Sequence, residues 1–319
     1  MKPTPPSRRA VVASLTATAA LVLAGCGSES DGAGAAGSVS LGFVNGANTH
    51  FHSCLLKAVE QEAEAEGATV YSANSKQDAG TELSNIEDMI SRSVDALIVQ
   101  TVNVDALDGD IAKARAAGIP IYLTSVATSD MSDVLGAAVV DLKKVGGLDA
   151  GWIEKDAAGK DVTVGIVAGA PGAASDLLVG GFQAALPANA KVVANQPGMF
   201  NPAKAQDVAE NMIQAHPDLD YAFVANEEMG LAVRKAFDAA GAEDVKIVTV
   251  NGTEDGLAAV EDGRFSATVA NSAMTIGRTA VKNAIGLLDD DKSVDKISDI
   301  PLVLVTKDNV SEAPQYCPQ

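Results

Sequence analysis

From Ser38 onward the chain alternates short apolar runs with amphipathic stretches, and few folds accept that rhythm. Runs at 39–44, 68–72, 96–100 and 119–124 are mostly apolar throughout, as strands buried on both faces should be. Helical patterns over 52–67, 81–93 and 104–117 separate them, with Gly67 and Gly118 placed where a left-handed glycine ends a helix. The rhythm resumes with strands over 162–167, 191–194, 221–224, 246–250 and 266–270. Helices over 175–186, 202–216, 228–241, 253–262 and 275–288 alternate with these. A strand–helix–strand crossover sets its strands parallel and lays the helix on the sheet face. Two such series imply an α/β fold class with two doubly wound parallel-sheet lobes. In such sheets ligands bind beyond the carboxyl ends of the strands, so chemistry is sought there.

The segment before Ser38 is of another kind. Arg8 and Arg9 lead about fourteen mostly apolar residues, too few to span a ~30 Å hydrocarbon core, that end in Leu23-Ala24-Gly25-Cys26. The pattern resembles a bacterial lipoprotein signal, with cleavage before Cys26 and lipid on its sulfur; an ordinary secretory signal is the alternative. The arginine pair is compatible with general or twin-arginine export. Residues 1–25 are therefore expected to be a removed signal, and 26–37, rich in Gly, Ser and Ala, a flexible tether. The mature protein is placed outside the cytoplasm, lipid-anchored to the bacterial membrane.

The chain has 42 acidic and 23 basic residues, net −19, and loss of the cations Lys2, Arg8 and Arg9 leaves roughly −22. That balance excludes nucleic acid as a partner and argues against electrostatic adhesion to anionic lipid. With Cys26 assigned to lipid, Cys54 and Cys317 remain as an even pair in an oxidising compartment. They are a candidate disulfide; a buried free Cys54 and a loose Cys317 is the other possibility.

Catalytic templates are missing. The chain has no G-x-S-x-G elbow, no phosphate loop, no H-E-x-x-H and no complete G-x-G-x-x-G. Gly169-Ala170-Pro171-Gly172 reads as a plain strand–helix turn, and Asp289-Asp290-Asp291 as a solvated helix end. His50 and His52 suggest a metal pair, but no third histidine or nearby cysteine is seen to complete a site. No metal, cofactor or enzymatic activity is expected.

The strand ends do carry hydrogen-bonding groups and a few rings. Asn45, Asn48, His50 and Phe51 follow the first strand, and Thr124 and Ser125 close the fourth. In the second series come Asp176, Phe200, Asn201, Asn226, Glu227, Glu228, Asn251 and Asn271. Any single Asn here has a capping explanation. Asparagines ending consecutive strands on one edge suit a ligand dense in hydroxyls, because an amide both donates and accepts.

Several short motifs sharpen this reading by their order and spacing. They are Ala47-Asn48-Thr49-His50-Phe51, Ala117-Gly118-Ile119-Pro120, Gly180-Gly181-Phe182-Gln183 and Ala215-His216-Pro217-Asp218. Phe223 through Gly230 and Asn251 through Gly256 complete the series. Together they resemble the ribose-binding type of periplasmic sugar-binding protein, the type I substrate-binding proteins of ABC importers. The resemblance implies a clamp joined by a three-strand hinge, with crossings near 139–140, 271 and 302. The N-terminal lobe would comprise 38–139 plus 272–301, and the C-terminal lobe 140–271 plus 302–319. Carried over, the ligand site would use Asn48, His50, Phe51 and Ser125, with Asp176, Phe200, Asn226, Asn251 and Asn271 opposite.

Departures bear on the ligand. Where ribose-type pockets offer an Asp-Arg pair after the fourth strand, this chain reads Ser125-Val126; Asp176 stands near a further arginine position, and Asn251 replaces a frequent Asp. The expectation is a sugar or polyol other than ribose, with Asp176 either receiving an amine-bearing ligand or capping a helix. Partners implied are an ABC permease with its ATPase, and the protein is expected to be a monomer. A signal-molecule receptor of the same fold, feeding a chemotaxis or sensor pathway, is the alternative.

Overall fold

The computed structural model describes residues 38–319, so the expected signal and tether, Cys26 among them, lie outside the described residues. One six-stranded sheet contains β1 (Ser40–Asn45), β2 (Thr69–Asn74), β3 (Ala96–Gln100), β4 (Ile121–Ser125), β5 (Gly136–Val139) and β11 (Ile297–Asp299), ordered β11-β5-β4-β3-β1-β2. The other contains β6 (Val162–Ala168), β7 (Ala190–Pro197), β8 (Tyr221–Val224), β9 (Lys246–Asn251), β10 (Ala267–Ala270) and β12 (Val303–Val305), ordered β12-β10-β9-β8-β6-β7. The two orders repeat one topology. The first sheet is wholly parallel, whereas the second ends in an antiparallel edge, β12 on β10.

The first sheet is dressed by α1 (His50–Ala65), α2 (Ala79–Ser91), α3 (Val104–Ala116) and α9 (Ala273–Leu288). The second carries α4 (Leu142–Ala157), α5 (Ala173–Ala185), α6 (Pro202–Ala215), α7 (Glu227–Ala239) and α8 (Glu254–Glu261). The tightest helix pairs are α4 on α5 and α1 on α9. With helices on both faces, β3, β4 and β8 are buried at every position, which is why they appear as unbroken apolar runs. The chain passes between sheets three times, after β5, after β10 and between β11 and β12.

Four elements go beyond the periodic pattern. Strands β5, β11 and β12 have only four, three and three residues, too few to show a period. Helix α4 carries Gly146, Gly147 and Gly151, which lower helix propensity. Its packing explains one of them. A Cβ at Gly146 would collide with the Leu178 carbonyl and Phe182 of α5, and one at Gly181 with the Lys143 backbone, so the two helices touch backbone to backbone.

Candidate functional site

At the carboxyl ends of both sheets, between the lobes, lies a cavity of about 280 Å³, at the lower end of small-ligand pockets. Of the expected site residues, Phe51, Ser125, Phe200, Asn226, Asn251 and Asn271 line it together. Three do not. Asn48 is exposed ahead of the α1 N-cap, Thr49. His50 begins α1 and turns from the cavity, its ring set edge-on to Tyr316 at 5.7 Å and its N–H donating across the lobes to Glu228 Oε2 at 3.4 Å. Asp176 is exposed in the first turn of α5, whose N-cap is Gly172, so it does not cap the helix; it faces a separate outer groove with Gln183 and Asn195. The turn 169–172 reaches the cleft, with Ala170, Pro171 and Gly172 on its wall.

The lining holds no Asp, Glu, Lys or Arg among the described residues. Two rings face it from opposite lobes, Phe51 from α1 and Phe200 from the loop before α6. Such rings pack on the C–H faces of a polyhydroxylated ligand while amides meet its hydroxyls. Ser125, Met199, Phe200 and Asn251 all take positive φ, at 66°, 61°, 50° and 140°. Non-glycine residues hold that conformation only where surrounding structure enforces it. A Cβ at Gly169 would fall on the Phe200 ring, so this glycine lets the ring pack against the β6–α5 turn.

His52, Gln100, Thr49, Thr101 and Ser175 also line the cavity and were missed as ligand residues. Gln100 ends β3 as the asparagines end other strands, so the strand-end rule would have found it had it covered glutamine. His52 Nδ1 lies 2.8 Å from Thr49 Oγ1 and Nε2 lies 2.9 Å from Gln100 Oε1. Burial pulls its pKa down to about 4, against the opposing bond to Gln100, so the ring is neutral at neutral pH.

In the second lobe, Asn226 caps α7, its Oδ1 accepting from Met229 N–H at 3.0 Å. Because that oxygen is committed to a backbone donor, the Asn226 NH₂ is the end left for a ligand. Asn251 is 2.6 Å from the Tyr316 hydroxyl through Nδ2. The buried Tyr316 belongs to the C-terminal tail, which is fixed by Ser272 Oγ donating to the Gln315 carbonyl and by the Cys54–Cys317 disulfide. His50 lies beside both sulfurs, contrary to the expectation that no cysteine stands near it; the disulfide consumes the thiolates that a metal would need.

Two buried glutamates back the walls. Glu82 accepts from Thr101 Oγ1 and Val102 N–H, both at 2.7 Å. Glu227 accepts from Gly252 N–H (2.8 Å), Thr253 N–H (2.7 Å), Thr253 Oγ1 (2.5 Å) and Thr268 Oγ1 (2.6 Å). Burial raises both pKa values, and these donors oppose the shift.

Comparison with known proteins follows the same lines. A periplasmic binding protein domain model matches residues 41–292. A ribose import binding protein of Bacillus subtilis is 32% identical, over 83% of this chain and 86% of its own. A xylitol-binding protein of Mycolicibacterium smegmatis is 29% identical, over 76% and 70%. A solved ABC transporter solute-binding protein of Mycobacterium smegmatis, with bound glycerol, matches at a TM-score of 0.81 and 25% identity, covering 89% of this chain and 100% of that one.

Proposed function

This chain belongs to the periplasmic binding protein family, and we propose that it captures a small neutral sugar or polyol between its lobes and delivers it to an ABC importer. The observation that carries the reading is the uncharged cavity with opposed Phe51 and Phe200 and a ring of amides. A charged solute would lose its hydration there without an ion partner. Relatives named for ribose and xylitol, and a neighbour holding glycerol, support the same ligand class. Ribose itself is disfavoured, since Ser125-Val126 stands where ribose-type pockets offer an Asp-Arg pair. Ligand contacting both lobes favours the closed arrangement, and no chemistry on the ligand is needed for delivery.

The site residues are Phe51, Ser125, Phe200, Asn226, Asn251 and Asn271, joined by His52 and Gln100. The protein acts as a monomer tethered by lipid on Cys26, with 27–37 as the spacer. A thermal-shift screen with xylitol, D-ribose, D-allose and myo-inositol tests the ligand class. At about 100 Kd a ligand stabilises by ~2.7 kcal/mol, several degrees in melting temperature. No shift with any of the four overturns the sugar or polyol reading. Anchoring is tested by metabolic labelling with a fatty acid, which Cys26→Ser should abolish, and the monomer by light scattering.

A further inference from the structure

The Gln100 carboxamide is held by two groups, one from the loop after β1 and one from α1. Its Oε1 accepts from Gly46 N–H at 3.2 Å and contacts His52 Nε2 at 2.9 Å. A backbone N–H can only donate, so the Gly46 contact fixes which end of the amide is oxygen. An oxygen at that place requires the proton on His52 Nε2, which leaves Nδ1 bare. Thr49 Oγ1 then donates to Nδ1 at 2.8 Å.

Thr49 supports this assignment. It is the N-cap of α1, yet its hydroxyl makes no capping bond to the helix and serves the histidine ring. One more contact holds the array: Asn45 Nδ2 donates to the His52 carbonyl at 2.8 Å. Position 46 must be glycine for this approach, since a Cβ there would stand 2.5 Å from Gln100 Oε1. The Gln100 NH₂ meets no partner among the described residues, and Gln100 lines the cavity.

We propose that His52 is a positioning residue: with Thr49 and Gly46 it turns the Gln100 oxygen into the protein and the NH₂ into the cleft, so that the ligand must offer an acceptor oxygen at that point. With Asn226, whose NH₂ is also the free end, each lobe then presents a fixed donor. This rests on the sugar or polyol reading for its ligand, but the proton arrangement exists without one.

The test uses the mature chain in two measurements. Nitrogen-15 NMR of the ligand-free protein should show His52 protonated on Nε2 and bare on Nδ1; the reverse tautomer overturns the proposal. Calorimetric titration with xylitol, D-ribose, D-allose and myo-inositol then compares wild type with His52→Phe, Thr49→Val and Thr49→Ser. Affinity for whichever of the four binds should fall about tenfold in His52→Phe and several-fold in Thr49→Val, while Thr49→Ser keeps it. Equal affinity in wild type and Thr49→Val overturns the positioning role, even if His52→Phe fails to fold. If none of the four binds wild type, the ligand class fails, and the tautomer still decides the proposal.

Discussion

The two walls of the cleft solve one problem by different means. Each lobe buries a glutamate behind its wall, Glu82 in the first and Glu227 in the second, and each carboxylate collects backbone and threonine donors, from a strand-end loop and, for Glu227, also from Thr268 of β10. Glu82 has two such donors and Glu227 four. The exposed faces differ more. In the second lobe Asn226 is fixed by the backbone of its own helix, three residues on. In the first lobe Gln100 is fixed by Gly46 and His52 from the β1–α1 region. One wall is built from local contacts, and the other is assembled across strands.

The largest expected effect tests the depth of that contrast. Glu227→Ala, which strands four buried donors, should destabilise by about 4 kcal/mol in urea unfolding, and Glu82→Ala by about 2. Equal losses would break the comparison. Cys317→Ser should cost about 3 kcal/mol, read from the same curves. It should also weaken ligand binding a few-fold, because Tyr316 no longer holds Asn251; unchanged affinity would separate the tail from the second wall.

His52 in the first lobe and Asp149 in the second should also differ in the sign of their pH dependence. His52 has a folded pKa of about 4 against an ordinary 6.5, so its contribution is present above 6.5 and is lost as pH falls towards 4. The expected loss is about 3 kcal/mol, absent in His52→Phe. In the second lobe Asp149 is fully buried on α4, and neither carboxylate oxygen has a partner among the described residues. Desolvation, with repulsion from Glu227 adding to it, raises its pKa well above 3.8. Its penalty is absent at low pH and grows as pH climbs past 3.8. Asp149→Asn should therefore gain on wild type at neutral pH and not in acid, and a constant difference across that range would refute the assignment. The smallest effect is Asn226→Ala, about 1 kcal/mol of helix capping, with roughly tenfold weaker binding from the lost NH₂. A stability change without an affinity change would reduce Asn226 to a cap.

The legibility of the site follows the same division. Asn226, Asn251 and Asn271 could be found because each directly follows an apolar run whose period is local. Phe51 and Phe200 were visible only as rings just past strand ends, and their pairing across the cleft came through the resemblance. Asn48, His50 and Asp176 were misplaced by small errors of helix start. Helix α1 begins at His50, two residues before the periodic pattern, and α5 at Ala173. Successive helical residues point about 100° apart, so such a shift decides which of His50, Phe51 and His52 faces the ligand. His52 drew notice only as a metal candidate, because its partner Gln100 is far along the chain. Short β5, β11 and β12 had no signal long enough to read.

The sequence by itself determined the strand–helix rhythm and the two-lobed α/β class, because burial on two faces and helix amphipathicity are both written in neighbouring residues. Only the tertiary structure decided which end of each amide faces the cleft, that the tail reaches Asn251, and that Asp176 lies outside. The orientation of an amide depends on what donates to its oxygen. For Gln100 those donors lie in the loop after β1 and on α1, brought within 3.2 Å by the fold alone.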